Sequence, residues 1–266
     1  GGVDHNIAAV SSNILLADTK IHDGGHTVEA GCGVLLQQAR QSTVTHNKIF
    51  DMFYTGISTG WDWGYTATSN ADLDISFNWI YNIGRNRLSD MGCIYNLGIS
   101  PGTVFDNNLC HDVYSFGYGG WGLYSDQATS DVVWQNNIVF RTKGAGYHHH
   151  FGLNVSFVNN VVAHPFALNA TSYGADSSGI RSSQDSRSQL SSFVAHRNIV
   201  LLNHPSSIPL FGTQVNSFNN VTLFNNVYWS TSLSIPVEQL TFPPRQKPVN
   251  FDTWQNIDHK DKSSVV

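Results

Sequence analysis

An asparagine returns along this chain at intervals that constrain the fold more than any other feature. Asn47 in "VTHNKI", Asn78 in "ISFNWI", Asn107 in "VFDNNL", Asn136 in "VWQNNI", Asn159 in "SFVNNV" and Asn225 in "TLFNNV" each stand two residues before Ile, Leu or Val. Arg197 in "VAHRNI" takes the slot in the long gap, and "VSSNIL" around Asn13 reads as an earlier, less regular copy. The copies recur every 23 to 38 residues, which is the period of a solenoid coil. An asparagine at one turn of every coil can bond its amide to the next asparagine and to turn backbone, satisfying polar groups that the bend would otherwise orphan. The NN pairs therefore read as scaffold.

A second apolar segment precedes several of these turns: "GVLL" from Gly33, "GCIY" from Gly92, "WGLY" from Trp121 and "FGLN" from Phe151. Two or three short strands per repeat, with glycine or polar turns and little helical periodicity, predict an all-β chain. The expected fold is a right-handed, single-stranded parallel β-helix of about seven or eight coils carrying an Asn ladder. Leucine-rich repeats share the period but need a leucine pattern that is absent here. β-Propeller blades need longer repeats and rank second. The coils are expected over residues 1–230. From about Ser230 the pattern lapses, and 231–266, with its adjacent prolines, reads as a loop segment packed along the solenoid side. The Ser-rich stretch 171–192 lies in the longest gap and reads as a loop thrown out of one coil.

Only 12% of the chain is charged, against roughly 25% in an average domain, while 41% is apolar. Such a chain folds. The net charge of −5 is scattered, so there is no basic footprint for nucleic acid, and no apolar run approaches the ~20 residues of a membrane-spanning helix. Three cysteines, Cys32, Cys93 and Cys110, cannot all pair with one another and lack zinc-ligand spacing, so buried free thiols are expected. Sequons at Asn154, Asn169 and Asn220 make N-glycans possible. With the low charge and the wealth of Asn, Ser, Thr and Trp, they point to a secreted or cell-surface glycoprotein. The chain reads as a piece of a longer protein.

Solenoids place function on one face, and four successive coils carry unusual residues ahead of their asparagine. The first has Trp61, Asp62 and Trp63; the second Arg85, Arg87 and Asp90; the third Tyr118, Trp121, Tyr124 and Asp126; the fourth Tyr147, His148, His149 and His150. Paired acids suit glycosidic cleavage, which needs a proton donor and a base or nucleophile, and aromatic faces suit sugar rings. The candidate catalytic residues are Asp90 and Asp126. The candidate substrate-binding residues are Trp61, Asp62, Trp63, Trp121, Tyr124, His148, His149 and His150. No metal site or cofactor is expected, since no third ligand type is spaced to join the histidines. Counting back from the asparagines places Asp126 level with His149, and Asp90 near the Trp-Asp-Trp loop. It also puts the two aspartates at opposite ends of one strand column, ~20 Å apart if the strand is straight.

The blocks "SDMGCIY", "YGGWGLYSD", "HHHFGLN" and "FDTWQN…DKSS" together resemble glycoside hydrolase family 141, whose members include α-L-fucosidases and xylanases on the pectin-lyase-like β-helix. The likeness runs from about Gly56 to Ser264. It implies that Asp90 in "LSDMG" and Asp126 in "LYSDQ" are the catalytic pair and that the histidine block and tryptophan loop line the same pocket. Gln127 stands where relatives commonly carry Glu. The expected function is therefore an extracellular glycoside hydrolase acting on a polysaccharide or glycan. The alternatives are a non-catalytic β-helix module of a matrix, adhesin or surface filament, and, third, a polysaccharide lyase.

Overall fold

A computed structural model describes residues 10–165, 177–183, 191–204, 207–212, 220–231, 250–256 and 260–266. The chain winds as a parallel β-helix whose coils stack three sheets of seven, nine and eight strands. One coil shows the pattern. Gly92–Leu97 belongs to the seven-stranded sheet, Ile99–Asp106 to the nine-stranded sheet, and Leu109–Val113 to the eight-stranded sheet. Every strand pairs in parallel with its equivalent one coil away, so Ile94 sits between Ile57 and Leu123. Parallel sheets buried against one another want continuous apolar columns, and Ile57, Ile94, Leu123, Tyr147, Ile180 and Leu210 form one. The fifth strand of the seven-stranded sheet is Tyr147–His149 rather than the expected "FGLN".

The Asn ladder is present, displaced by one residue from its expected place in the NN turns. Its rungs are Asn47, Asn78, Asn108, Asn137, Asn160, Asn198 and Asn226, all buried. Asn108 is typical: its amide donates to Ile75 O and Asn137 Oδ1, and its own oxygen accepts the backbone and side-chain N–H groups of Asn78. That uses all four hydrogen-bonding positions of the side chain. The residue before each rung takes a left-handed turn: His46, Phe77, Asn107, Asn136, Asn159, Arg197 and Asn225 have φ of 53–57°. Asparagine tolerates that conformation better than most residues, so the doubled asparagines serve two purposes. Arg197 is the turn residue and Asn198 the rung.

Inside the corner between the seven- and eight-stranded sheets, Gly56, Cys93, Gly122 and Gly146 share a column. A Cβ added at Gly122 would come 2.2 Å from Val139, and one at Gly146 would come 2.1 Å from Val162. Cys93 fills the same slot by bonding across the gap. It forms a disulfide with Cys110, whose neighbours along the facing sheet are Ile80 and Val139. The expectation of free thiols is thus corrected for two of the three cysteines. Cys32 is free and half-buried, and burial pushes its thiol up to about 11.

Two loop expectations change as well. Ser178–Ser182, inside the Ser-rich stretch, is a strand pairing with Tyr147–His149 and Ile208–Gly212. Near the C-terminus Phe251–Asn256 is a short helix, and Lys262 and Val265 bridge in parallel to Phe224 and Val227. Ser264 and Asp261 accept from Asn226 where another asparagine would have stood. This segment caps the last rung of the ladder.

Candidate functional site

The outward side of the seven-stranded sheet carries Ser58, Tyr95, Tyr124, His148 and Arg181 on successive rungs. Outward positions of a solenoid are ordinarily wet, and Leu35 at the start of this column is 52% exposed. Tyr95, Tyr124 and His148 are each only 3% exposed. Their rings stack along the column, 4.8 Å and 8° apart for the tyrosines and 4.9 Å and 4° for Tyr124 with His148. Residues from the turns around the strands roof this column and leave a cavity of about 370 Å³, at the small end of the ~300–1,000 Å³ usual for ligand pockets.

Asp126 follows the strand Trp121–Ser125 and reaches the cavity floor. Both of its oxygens are acceptors: Tyr124 donates to Oδ1 at 2.7 Å and Tyr95 to Oδ2 at 2.5 Å. The same Tyr124 hydroxyl lies 3.1 Å from Oδ1 of Asp90. A phenol has one proton. If it is given to Asp126, the contact with Asp90 is a hydrogen bond only when Asp90 is itself protonated and donates. The electrostatics agree, because burial first and the charge of Asp126 second raise the Asp90 carboxyl above its ordinary value. Burial and the two carboxylates push the Tyr124 phenol well up, so it stays a proton carrier rather than an ion.

The ~20 Å of a straight strand is bridged by local geometry. Asp90 takes φ 55° just before the strand, and Tyr54 donates to its carbonyl at 2.9 Å. Gly119, at φ 89°, passes so close that an added Cβ would lie 2.8 Å from the Asp90 nitrogen. The turn thus presents the Asp90 carboxyl over the strand, and the length of Tyr124 covers the remaining distance. The shared hydroxyl keeps the two carboxylate oxygens within about 6 Å of each other.

The other end of the cavity is nitrogen-rich. His148 Nε2 and His150 Nδ1 both contact Ser183 Oγ at 2.7 Å. Burial holds His148 well below the usual histidine range, hence neutral. Arg181 extends between two rings, its guanidinium carbon 5.7 Å from the centre of Trp121 and 5.6 Å from that of Phe211. Trp63 and Tyr118, each 57% exposed, stand at the mouth with Gln127.

The structure brings Asp90, Asp126, Trp63, Trp121, Tyr124, His148 and His150 to one cavity. It does not bring His149 there. The strand pairs Ser125 with His149, so Asp126 is level with His150, and His149 points inward to Ser191 Oγ at 3.1 Å. Burial lowers its pKa to about 3. Trp61 stands behind the wall, edge-on to Tyr95 at 5.4 Å, and Asp62 is outside the lining. Tyr124 bridges acids with its hydroxyl instead of offering its face to a sugar. Sequence reading missed Tyr95, Arg181 and Ser183. Tyr95 was findable, since "GCIY" and "WGLY" end in tyrosine at the same strand position. Arg181 and Ser183 were hidden in the stretch taken for a loop.

No family model, curated protein or solved structure matches this chain. Among the described residues, no three His, Cys, Asp or Glu side chains are grouped to hold a metal ion, and no helix is long and apolar enough to cross a membrane. A larger hollow of about 690 Å³ lies at the C-terminal end, but its one carboxylate is Asp261, which is committed to Asn226, Tyr228 and Ser264.

Proposed function

We propose that this cavity hydrolyses a glycosidic bond. The observation that carries the reading is the pair of carboxylates, from neighbouring coils, meeting at one tyrosine hydroxyl inside an aromatic-walled pocket. Asp90, with its raised proton affinity, is the acid that protonates the departing oxygen. Asp126, aimed by Tyr95 and Tyr124, is its partner. The nearest oxygens of the pair lie within about 6 Å, which is compatible with the ~5–5.5 Å carboxyl spacing of retaining enzymes, and the reading takes that course. In that mechanism Asp126 attacks the anomeric carbon as the bond to the leaving oxygen breaks. Asp90, having given up its proton, then takes one from the water that releases the sugar. The resemblance to glycoside hydrolase family 141 supports the same pair.

The disulfide and the exposed sequon asparagines Asn154 and Asn220 support a secreted setting; Asn169 lies outside the described residues. Screening aryl glycosides and plant or microbial glycans for released sugar tests the reading. Asp126→Asn should reduce turnover by ~10³-fold or more, and the first product should keep its anomeric configuration. Undiminished turnover in this variant would remove Asp126 from the mechanism.

A second reading, a sugar-binding module without turnover, is favoured by one observation. Asp126 is only 8% exposed with both oxygens engaged, and Gln127 replaces the acid common in the family. Oligosaccharide binding that Asp126→Asn retains, with no turnover by the wild type, would select it.

A further inference from the structure

The cavity has two chemically different ends. Asp90, Asp126 and two phenols form one; Arg181, His148, His150 and Ser183 form the other. Among the described residues lining it, Arg181 alone carries a permanent positive charge. It lies two rungs from Tyr124, roughly 10 Å along the axis at ~4.8 Å per rung. Its place between Phe211 and Trp121 leans the guanidinium back toward the acids, because Trp121 belongs to the same strand as Tyr124. A hexose with its C6 substituent is roughly 6 Å long at ~1.5 Å per bond, and with contacts of ~3 Å at each end one ring spans the roughly 10 Å between those rungs. A guanidinium fork matches a planar carboxylate or a sulfate far better than it matches a hydroxyl.

We propose that Arg181 forms a subsite for an anionic group on the sugar, a uronate carboxylate or a sulfate ester. The inference rests on the glycoside-hydrolase reading of the same cavity and names its substrate class as acidic sugars. The charged substituent is drawn to Arg181 and repelled by the aspartates, which turns the anomeric end of the ring toward Asp90 and Asp126. A neutral sugar lacks this orienting force.

The test compares matched aryl hexosides that differ only at C6, bearing hydroxymethyl, carboxylate or sulfate, on the wild type, Arg181→Gln and Arg181→Lys. The wild type should prefer one or both anionic substrates by roughly 30-fold in kcat/KM. Arg181→Gln should erase most of that preference through KM, losing far more on the anionic substrates than on the neutral one, and Arg181→Lys should restore part of it. Whether the carboxylate or the sulfate wins identifies the charge. A wild type that turns over the neutral hexoside as well as both anionic ones overturns the subsite while leaving the hydrolase reading intact, and this comparison needs no variant to fold. An equal loss on all three substrates in Arg181→Gln also overturns it, marking Arg181 as a packing residue. If no substrate is turned over, the hydrolase reading fails. Calorimetry with glucuronate, galacturonate, a sulfated monosaccharide and neutral glucose then decides the subsite separately. Binding of an anion that weakens in Arg181→Gln upholds it, and charge-indifferent or absent binding overturns it.

Discussion

The turn that holds the Asn ladder and the face that holds the carboxylates are built from the same stacked rungs, yet their buried polar groups behave differently. At the turn, every rung is the same neutral side chain, and from Asn78 to Asn226 each amide oxygen accepts two hydrogen bonds from the rung before it. On the seven-stranded face the rungs are Tyr95, Tyr124, His148 and Arg181, no two coils offering the same chemistry beyond the tyrosines. There the groups are mismatched: two acids share one phenol, and His148 Nδ1 and Trp121 Nε1 are buried without partners among the described residues. Repetition of one self-complementary residue stabilises a solenoid. A column of unlike, incompletely matched groups marks a place where the chain departs from repetition to present chemistry.

The difference can be broken first at the face. Asp90→Asn should lower turnover ~10²–10⁴-fold by removing the acid, with thermal unfolding measured alongside. Because the Asp90 carboxyl is raised in the folded protein, the native state keeps a proton that the unfolded chain releases. Wild-type stability therefore falls as pH rises from the ordinary carboxylate range through the folded value. An amide at this position cannot ionise, so the variant should lose that downward slope and melt higher than the wild type at neutral pH. A variant both inactive and less stable at pH 7 would contradict the assignment.

The scaffold side is broken at its cross-link. Replacing Cys93 and Cys110 by alanine opens a loop whose ends are 17 residues apart, which should cost about 3 kcal/mol in denaturant unfolding. Activity should persist below the midpoint. Asn137→Ala comes next. It orphans the backbone and side-chain donors of Asn108 that now meet Asn137 Oδ1, at ~1–3 kcal/mol, and leaves kcat/KM unchanged for the protein still folded. The smallest effect is expected from Tyr124→Phe, which keeps the stacked ring and removes the hydroxyl that joins the acids. Turnover should drop roughly 10-fold, and the basic limb of the pH–rate profile should move. An unmoved limb would mean that burial and the charge of Asp126 tune Asp90 without the shared hydroxyl.

Much of this was legible in the residues. The period of the asparagines announced the coil, and "LSDMG" and "LYSDQ" announced the acids. The one-residue error in the ladder arose because both members of an NN pair have a role, the first in a left-handed turn and the second as a rung. His149 was carried into the site by a different irregularity: Ser125 pairs with His149 and Val133 with Ser156, so the connection to the next strand is one residue shorter in the later coil, and counting back from the asparagines misassigned the level of His150. The short strand Ser178–Ser182 carries the small polar residues of a loop, since its outward side is covered and its inward side meets a glycine corner. Neither fact has a local signature. Arg181 was lost with it.

By itself the sequence determined the repeat, because stacking equivalent coils requires equivalent residues at equivalent positions, and that requirement is written in the order of the chain. Only the tertiary structure decided which side chains meet. The meeting of Asp90 with Asp126 depends on a left-handed turn, a glycine that lets Tyr118–Gly119 pass close, and a tyrosine long enough to join two coils. The pairing of Cys93 with Cys110 depends on two sheets converging at a corner too narrow for larger side chains. These are distances between coils, set by packing and register, and a linear spacing does not encode them.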